Sequence, residues 1–363
     1  MNENHFNPKK EIFIGNKKIS KKDPVYFIAE IGSNFDQDIN RAKDLIYLAK
    51  DSGADAAKFQ HYTAISLVSD YGFKALGKSK SHQALWEKSV YNTYDDASLS
   101  IDWTQELKDT CDDAGITFFT SPYAFDLVDS VDKFVPAYKI GSGDITWISI
   151  IEHIASKMKP VLLATGASTM KDVSRAVKSI LKINNQLILM QCNTNYTADS
   201  ENYSNIQLRV ITTFRKMFPG ILTGLSDHMP GHVNVLGAVA LGVKVIEKHF
   251  TDSTKRHGPD HPFSMTPKTW TEMVERTREL ESALGNGKKK VEQNEKETII
   301  LQQRSICSSR KINKYTKLKM DDLNLLRPCP KDSIKPYEIE RIIGKKLNRD
   351  LQKGEIITWQ DLD

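Results

Sequence analysis

Eight short apolar runs, each followed by a stretch of helical periodicity, limit what this chain can fold into more than any other feature. The runs span 25–31, 56–59, 116–119, 137–140, 161–164, 187–190, 221–225 and 243–246. Between them the 3.6-residue period is plain, as in Ala42, Leu45, Ile46 and Ala49, or Val173, Ala176, Val177, Ile180 and Leu181. Short apolar runs alternating with helices describe strands buried on both faces of a parallel sheet. Eight of them predict an α/β fold, a (β/α)8 TIM barrel, whose reactive groups belong at the C-terminal ends of the strands.

That expectation has a test within the sequence. The residues closing the runs are Glu30, Lys58 with Gln60, Ser121, Lys139 with Ser142, Thr165, Asn193, Ser226 with His228, and Glu247 with His249. A purely structural barrel needs no polar group at almost every strand end, so one rim is expected to carry chemistry. His228 and His249 follow successive strands and come to that same rim. Two imidazoles with carboxylates nearby suit a borderline divalent ion such as manganese, iron, cobalt or zinc; two satisfied rim histidines are the plainer alternative.

Lysine is costly inside a barrel unless an anion meets it. Lys58 and Lys139, with the hydroxyls of Ser121, Ser142 and Thr165 beside them, therefore predict a pocket for a phosphate or carboxylate. A Schiff-base lysine, or one paired with Glu30, would satisfy the same residues. Glu30 is a candidate acid or base, or simply a lysine's partner. Ser168 and Thr169 precede a clear helix, where they cap it or help hold a phosphate at its N-terminus. Asp260, within HGPDH, sits on a glycine- and proline-fixed loop suited to hydroxyl or metal-water contacts, or to a plain turn.

The connection 61–101 is unusually long and shows no periodicity of its own, which suggests a lid or binding loop. A hairpin is expected at 11–14 and 18–19 around Gly15-Asn16. The boundaries expected are a barrel over 1–284, a polar linker over 285–297, and a small β-rich domain over 298–363, with turns at Gly344 and Gly354. Residues 285–363 hold 18 Lys and Arg against 12 Asp and Glu, and the rest of the chain 33 against 34. The basic residues are interspersed with acids and no aromatics alternate with them, so a partner subunit or anionic substrate is expected rather than nucleic acid. No run approaches 18 apolar residues and the start lacks a signal peptide's apolar segment, so no membrane span or export is expected. Cys111, Cys192, Cys307 and Cys329 are scattered without a CxxC, which fits a reducing cytoplasm.

The motifs IAEIGSN (28–34), KFQ (58–60), YKIGSGD (138–144), LATGAST (163–169), GLSDH (224–228), EKHF (247–250) and GPDH (258–261) occur in the order seen in the sialic acid synthase family. The segment from QRSICSSR through LLRPCP to IIGKKLNRDLQKGE resembles that family's antifreeze-like (SAF) domain. The resemblance covers nearly the whole chain beyond residue 20. It implies a cytoplasmic transferase that condenses phosphoenolpyruvate with an open-chain N-acetylhexosamine to give a nine-carbon 2-keto acid. It further implies His228 and His249 as ligands of a divalent metal, usually manganese, with magnesium or cobalt as alternatives. Lys58, Ser121, Lys139, Ser142, Thr169 and Ser226 match positions that hold phosphoenolpyruvate. Gln60, Tyr196 and Asp260 match positions that contact the sugar. Glu30 matches the acid/base, with Asp144 standing where relatives often have Glu. Arg327 matches an arginine that crosses to the other subunit's sugar site, which implies a domain-swapped homodimer.

Three departures stand out. Phe35 replaces a histidine common after the asparagine of IGxN, CNTNYT replaces CTN-x-YP, and RPC replaces RPG. They point to a sugar of the legionaminic or pseudaminic type. The competing functions are a synthase of deoxy-octulosonate or deoxy-heptulosonate, a Schiff-base lyase, and a non-catalytic sugar-binding protein on the same fold.

Overall fold

A computed structural model describes residues 7–76, 83, 86, 88–197 and 199–363. The chain divides into two compact units, the first ending at Gly285 and the second running from Asn286 to Asp363.

The first unit opens with an antiparallel hairpin, β1 (Glu11–Ile14) and β2 (Lys17–Ser20), which turns at Gly15 with φ at 56°. Eight parallel strands follow: β3 (Tyr26–Glu30), β4 (Ala56–His61), β5 (Thr117–Pro122), β6 (Tyr138–Ile140), β7 (Val161–Ala164), β8 (Leu187–Cys192), β9 (Leu222–Asp227) and β10 (Val245–His249). They are hydrogen-bonded in the order β5-β4-β3-β10-β9-β8-β7-β6, and β5 lies beside β6, so the sheet curls into the expected barrel. Each apolar run of the sequence lies on one strand. Several strands extend past their run, to His61, Pro122, Cys192, Asp227 and His249, and so carry the polar closing residues within the sheet.

The two-residue alternation of a strand sorts these side chains. On β3, Phe27 and Ala29 face outward into the layer beneath the helices, while Tyr26 and Ile28 face the barrel interior. Ile12, Ile14 and Ile19 of the hairpin join that interior cluster against Tyr26, Ala56, Leu222 and Val245, all at strand starts. Burying each isoleucine contributes up to about 2–3 kcal/mol. The hairpin thereby stoppers the N-terminal end of the barrel.

The outer helices follow the sequence period. Asp38 caps the helix Ile39–Asp51, which buries Ala42, Leu45, Ile46 and Ala49. The connection after β4 differs from the sequence expectation, because it contains the short helices Ala64–Leu67, Asp70–Leu76 and Val90–Ala97. None is long enough to show an apolar period, and the first and third start at caps, Thr63 and Ser89.

In the second unit, β11 (Ser305–Ser308) pairs antiparallel with β12 (Leu323–Leu326). Isolated bridges such as Ile312 with Leu351 and Leu347 with Leu362 tie the remaining loops together. Its own core holds Ile306, Ile312, Leu318, Ile334, Ile342, Leu347, Leu351 and Ile357. Gly344 and Gly354 both take φ near 82°, the left-handed turn expected of them. Among the described residues no helix is long and apolar enough to cross a membrane.

Candidate active site

The C-terminal rim of the barrel surrounds a cavity of about 290 Å³. At its floor Lys58 and Lys139 point inward from β4 and β6, and both are buried. Lys58 Nζ is in ion-pair contact with Glu30 Oε2, lies 3.2 Å from Ser121 Oγ and 3.8 Å from Glu247 Oε1. Lys139 Nζ donates to the same Glu247 oxygen at 2.9 Å, and Ser226 Oγ reaches it at 3.4 Å. Gln60 Nε2 donates to Glu30 Oε1 at 3.2 Å. The sheet register accounts for the cluster: Glu30 pairs with Lys58, Gln60 with Ser121, and Glu247 with Ser226.

Two carboxylates and two ammonium groups share this dry floor, and their environments separate the acids. Burial pushes Glu30 up to about 7, against the pull of Lys58. Glu247 moves the other way, to about 2, because Lys139 and Lys58 together outweigh its burial. Asp144 closes the 3-10 turn Ser142–Asp144 after β6, and burial raises it to about 6. Neighbouring acids separated in this way can take opposite protonation states, as acid and base roles require.

Two histidines flank the floor, with ring centroids 5.5 Å apart. His228 Nδ1 lies 2.8 Å from the carbonyl oxygen of Asn193, so Nδ1–H donates there and Nε2 keeps its lone pair. His249 Nδ1 is buried without a hydrogen-bond partner among the described residues, and stands 3.5 Å from Asp260 Oδ2. Burial holds the His249 ring below its usual range, hence neutral. Imidazole nitrogens left without a protein partner are the donors a divalent cation takes, so these residues fit a metal. Among the described residues no group of three or more His, Cys, Asp and Glu is placed to hold a metal ion, so the protein donors for one are this imidazole pair.

Asp260 is held from two sides. Its Oδ2 accepts from Ser33 N at 3.2 Å and Ser33 Oγ at 2.9 Å. The next residue, His261, is buried between Asp36 Oδ1 and Thr251 Oγ1, each at 2.8 Å. Gly32 explains the glycine of the IAEIGSN run. A Cβ there would stand 2.7 Å from Asp260 Oδ2 and 3.1 Å from Glu30 Oε1, and its φ is 53°. Tyr196 packs its ring 4.3 Å from that of His228.

Of the sequence candidates, Glu30, Asp144, Lys58, Ser121, Lys139, Ser142, Ser226, Gln60, Tyr196, Asp260, His228 and His249 all line this cavity. Thr169 does not: it is exposed and caps the helix Met170–Ile183, its hydroxyl 2.6 Å from Asp172 Oδ2. Arg327 is an exposed residue of the second unit, directly after β12. Phe35 is buried in the outer apolar layer, edge-on to Trp103, so the replaced histidine leaves a packing residue.

Sequence reasoning gave Glu247 no role although it bridges both lysines. The signal was present, since the alternation that turns His249 inward turns Glu247 inward too. It also missed the aromatic side chains Tyr62, Tyr94 and Tyr123 in the cavity wall.

Residues 45–289 match the NeuB family and residues 303–363 the SAF domain. The chain is 33% identical to the N,N'-diacetyllegionaminic acid synthase of Legionella pneumophila over 93% of this chain and 94% of that one. It is 31% identical to the human N-acetylneuraminate-9-phosphate synthase, over 94% and 93%. Its fold superposes on the crystal structure of an N-acetylneuraminic acid synthetase from Leptospira borgpetersenii in complex with citrate. The TM-score is 0.69 and the identity 30%, covering 81% of this chain and 97% of that one.

Proposed function

The chain belongs to the NeuB family and carries a SAF domain, and on that premise we propose that it condenses phosphoenolpyruvate with an N-acetylated hexosamine. The products are a nine-carbon 2-keto sugar acid of the sialic, legionaminic or pseudaminic type and inorganic phosphate. The observation that carries this reading is one cavity holding two buried lysines, Lys58 and Lys139, beside the imidazole pair His228 and His249.

The lysines and the hydroxyls of Ser121, Ser142 and Ser226 hold the phosphate and carboxylate of phosphoenolpyruvate as charge-assisted contacts. Gln60, Tyr196 and Asp260 orient the open-chain sugar. A divalent cation on His228 and His249, manganese or alternatively magnesium or cobalt, polarises the aldehyde carbonyl when bound. As C3 of phosphoenolpyruvate bonds to the aldehyde carbon, the carbonyl oxygen takes a proton. Glu30, raised to about 7, is suited to deliver it. Water then adds to the cation at C2 and gives up its proton to a carboxylate, the role this proposal assigns to Asp144. The C2 hydroxyl then collapses to the keto group, its proton passing to the departing phosphate, as the C–O bond to phosphate breaks.

The test is phosphate release from phosphoenolpyruvate with manganese and a panel of aldoses. The panel holds N-acetylmannosamine, its 6-phosphate, two diacetamido-trideoxyhexoses, arabinose 5-phosphate and erythrose 4-phosphate. Release with an N-acetylated hexose, giving a 2-keto acid, is expected; release with only the phosphorylated pentose or tetrose refutes the reading.

Arg327 completes the sugar site of a second subunit in this proposal, which makes the active form a domain-swapped homodimer in the cytoplasm. Mixing inactive Arg327→Ala with inactive His228→Ala chains should restore activity in hybrid dimers. No recovery in demonstrably mixed dimers refutes the exchange.

A further inference from the structure

The turn after Phe35 carries backbone strain. Asp36 and Gln37 are consecutive non-glycine residues with φ at 51° and 59°, the left-handed region that L side chains rarely adopt. Strain of this kind persists where surrounding contacts over-determine it, and it gathers at functional sites. Three contacts hold the turn. Asp36 Oδ1 lies 2.8 Å from His261 Nε2, Asp36 Oδ2 lies 3.1 Å from Arg41 Nε, and Gln37 Nε2 donates to the carbonyl oxygen of Ser98 at 2.7 Å.

The imidazole at the far end of the first contact is fully buried. A carboxylate accepts and does not donate, so His261 Nε2–H donates to Asp36, while Nδ1 meets Thr251 Oγ1 at 2.8 Å. Engagement at both nitrogens locks the ring. The chain also makes room for it, since a Cβ on Gly258 would stand 2.7 Å from His261 Cδ2. His261 opens the 3-10 turn His261–Phe263 directly after Asp260, so a fixed ring fixes the backbone that carries Asp260 at the cavity. Ser264 Oγ, which accepts from Asn34 Nδ2 at 2.9 Å, donates to the carbonyl oxygen of Asp260 at 2.6 Å. Ser33 occupies Oδ2 of the Asp260 carboxylate, which leaves Oδ1 for a ligand hydroxyl.

The loops after β3 and β10 follow hydrogen-bonded neighbours, and a second link already ties them together. Arg41 Nη1 and Nη2 clamp the two oxygens of Asp252 at 2.8 and 2.6 Å. That clamp fastens the loops eight residues before Asp260, whereas the Asp36–His261 link adjoins it. We propose that Asp36 and His261 are positioning residues for the sugar substrate, acting through Asp260 by fixing where its carboxylate stands. The proposal rests on the synthase reading and adds two residues to it.

The experiment measures kcat and both Michaelis constants of the full chain with manganese and phosphoenolpyruvate. The sugar is whichever of N-acetylmannosamine and 2,4-diacetamido-2,4,6-trideoxymannose the wild-type protein turns over faster. Asp36→Ala should raise KM for the sugar about tenfold, the effect of a small displacement of a binding group, with KM for phosphoenolpyruvate unchanged. Asp36→Asn should restore the sugar KM, since its amide oxygen accepts the same N–H and asparagine tolerates the left-handed turn. Adding Asp36→Ala to His261→Ala should raise the sugar KM no further than His261→Ala alone; if the buried substitution fails to fold, the Asp36 variants decide. Asp252→Asn, which loosens the neighbouring clamp, should lower the melting temperature and leave the sugar KM near wild type. An Asp36→Ala chain that melts earlier with an unchanged sugar KM overturns the proposal, as does an equal rise in both Michaelis constants. Either result leaves the synthase reading standing, because a 2-keto acid still forms; no product from the wild-type protein with either sugar overturns both.

Discussion

Lys58 and Lys248 are equally dry, each 2% exposed, and each faces a carboxylate, yet the two sites are built to opposite ends. Lys248 points outward from β10 to Asp227 Oδ2 and the carbonyl oxygen of Met229. The other oxygen of Asp227 accepts from Asn234 Nδ2 at 2.9 Å, so that cluster is closed. Lys58 points inward among Glu30, Glu247 and Ser121, where Glu247 Oε2 and His249 Nδ1 have no hydrogen-bond partner among the described residues. A buried ion pair that only supports the fold satisfies all its atoms, because each orphan costs about 1–3 kcal/mol. One that awaits a ligand leaves capacity turned toward the cavity.

The sharpest way to break this contrast is at the metal pair. His228→Ala should lower turnover about a thousandfold, the value of several kcal/mol of lost charge stabilisation. Bound manganese measured by elemental analysis should fall with it, and full activity without metal would end the assignment.

Glu30 comes next. Its raised value means the folded protein holds that proton more tightly than the unfolded chain. Its contribution to stability is complete below its ordinary pKa near 4.5 and is lost as pH rises through about 7. Glu30→Gln should cost about a hundredfold in kcat, erase an inflection near pH 7 from the rate profile, and flatten the loss of melting temperature across that window. An inflection that survives the substitution moves the role to another group.

The lysine pair then tests the comparison directly. Lys58→Met should raise KM for phosphoenolpyruvate at least tenfold while leaving the melting temperature close to wild type, since Glu30 can take up a proton. Lys248→Met should do the reverse: it strands Asp227 and costs about 3–5 kcal/mol of stability, with KM unchanged. Equal thermal losses in both variants would erase the distinction. The smallest effect belongs to Thr169→Ala, which removes a helix cap worth about 1 kcal/mol. Its KM for phosphoenolpyruvate should stay within twofold, since the hydroxyl is engaged by Asp172; a large rise would return Thr169 to the binding site.

Much of this architecture was legible because buried parallel strands write themselves as continuous apolar runs, and all eight runs fall on strands. The inward residues at their ends were legible for the same reason, as polar groups breaking an apolar pattern. Glu247 is read as one of those rim groups but given no role because, next to Lys248, it resembles half of a surface charge pair; only the alternation sends the two to opposite faces of the sheet. The aromatic wall escaped for a different reason. Tyr62, Tyr94 and Tyr123 are distant in sequence, lie outside any period, and meet only because the connections after β4 and β5 lean over the same mouth.

The three isoleucines of the hairpin have a consequence for timing. With the far end of the barrel stoppered, the cavity is a cup with one lip, and its occupants must queue. On the proposed reaction, phosphoenolpyruvate held at the bottom by Lys58 and Lys139 would have to enter first, and a sugar settling at the lip would shut it in. Excess sugar arriving early should therefore obstruct the enzyme, and raising phosphoenolpyruvate should relieve the obstruction.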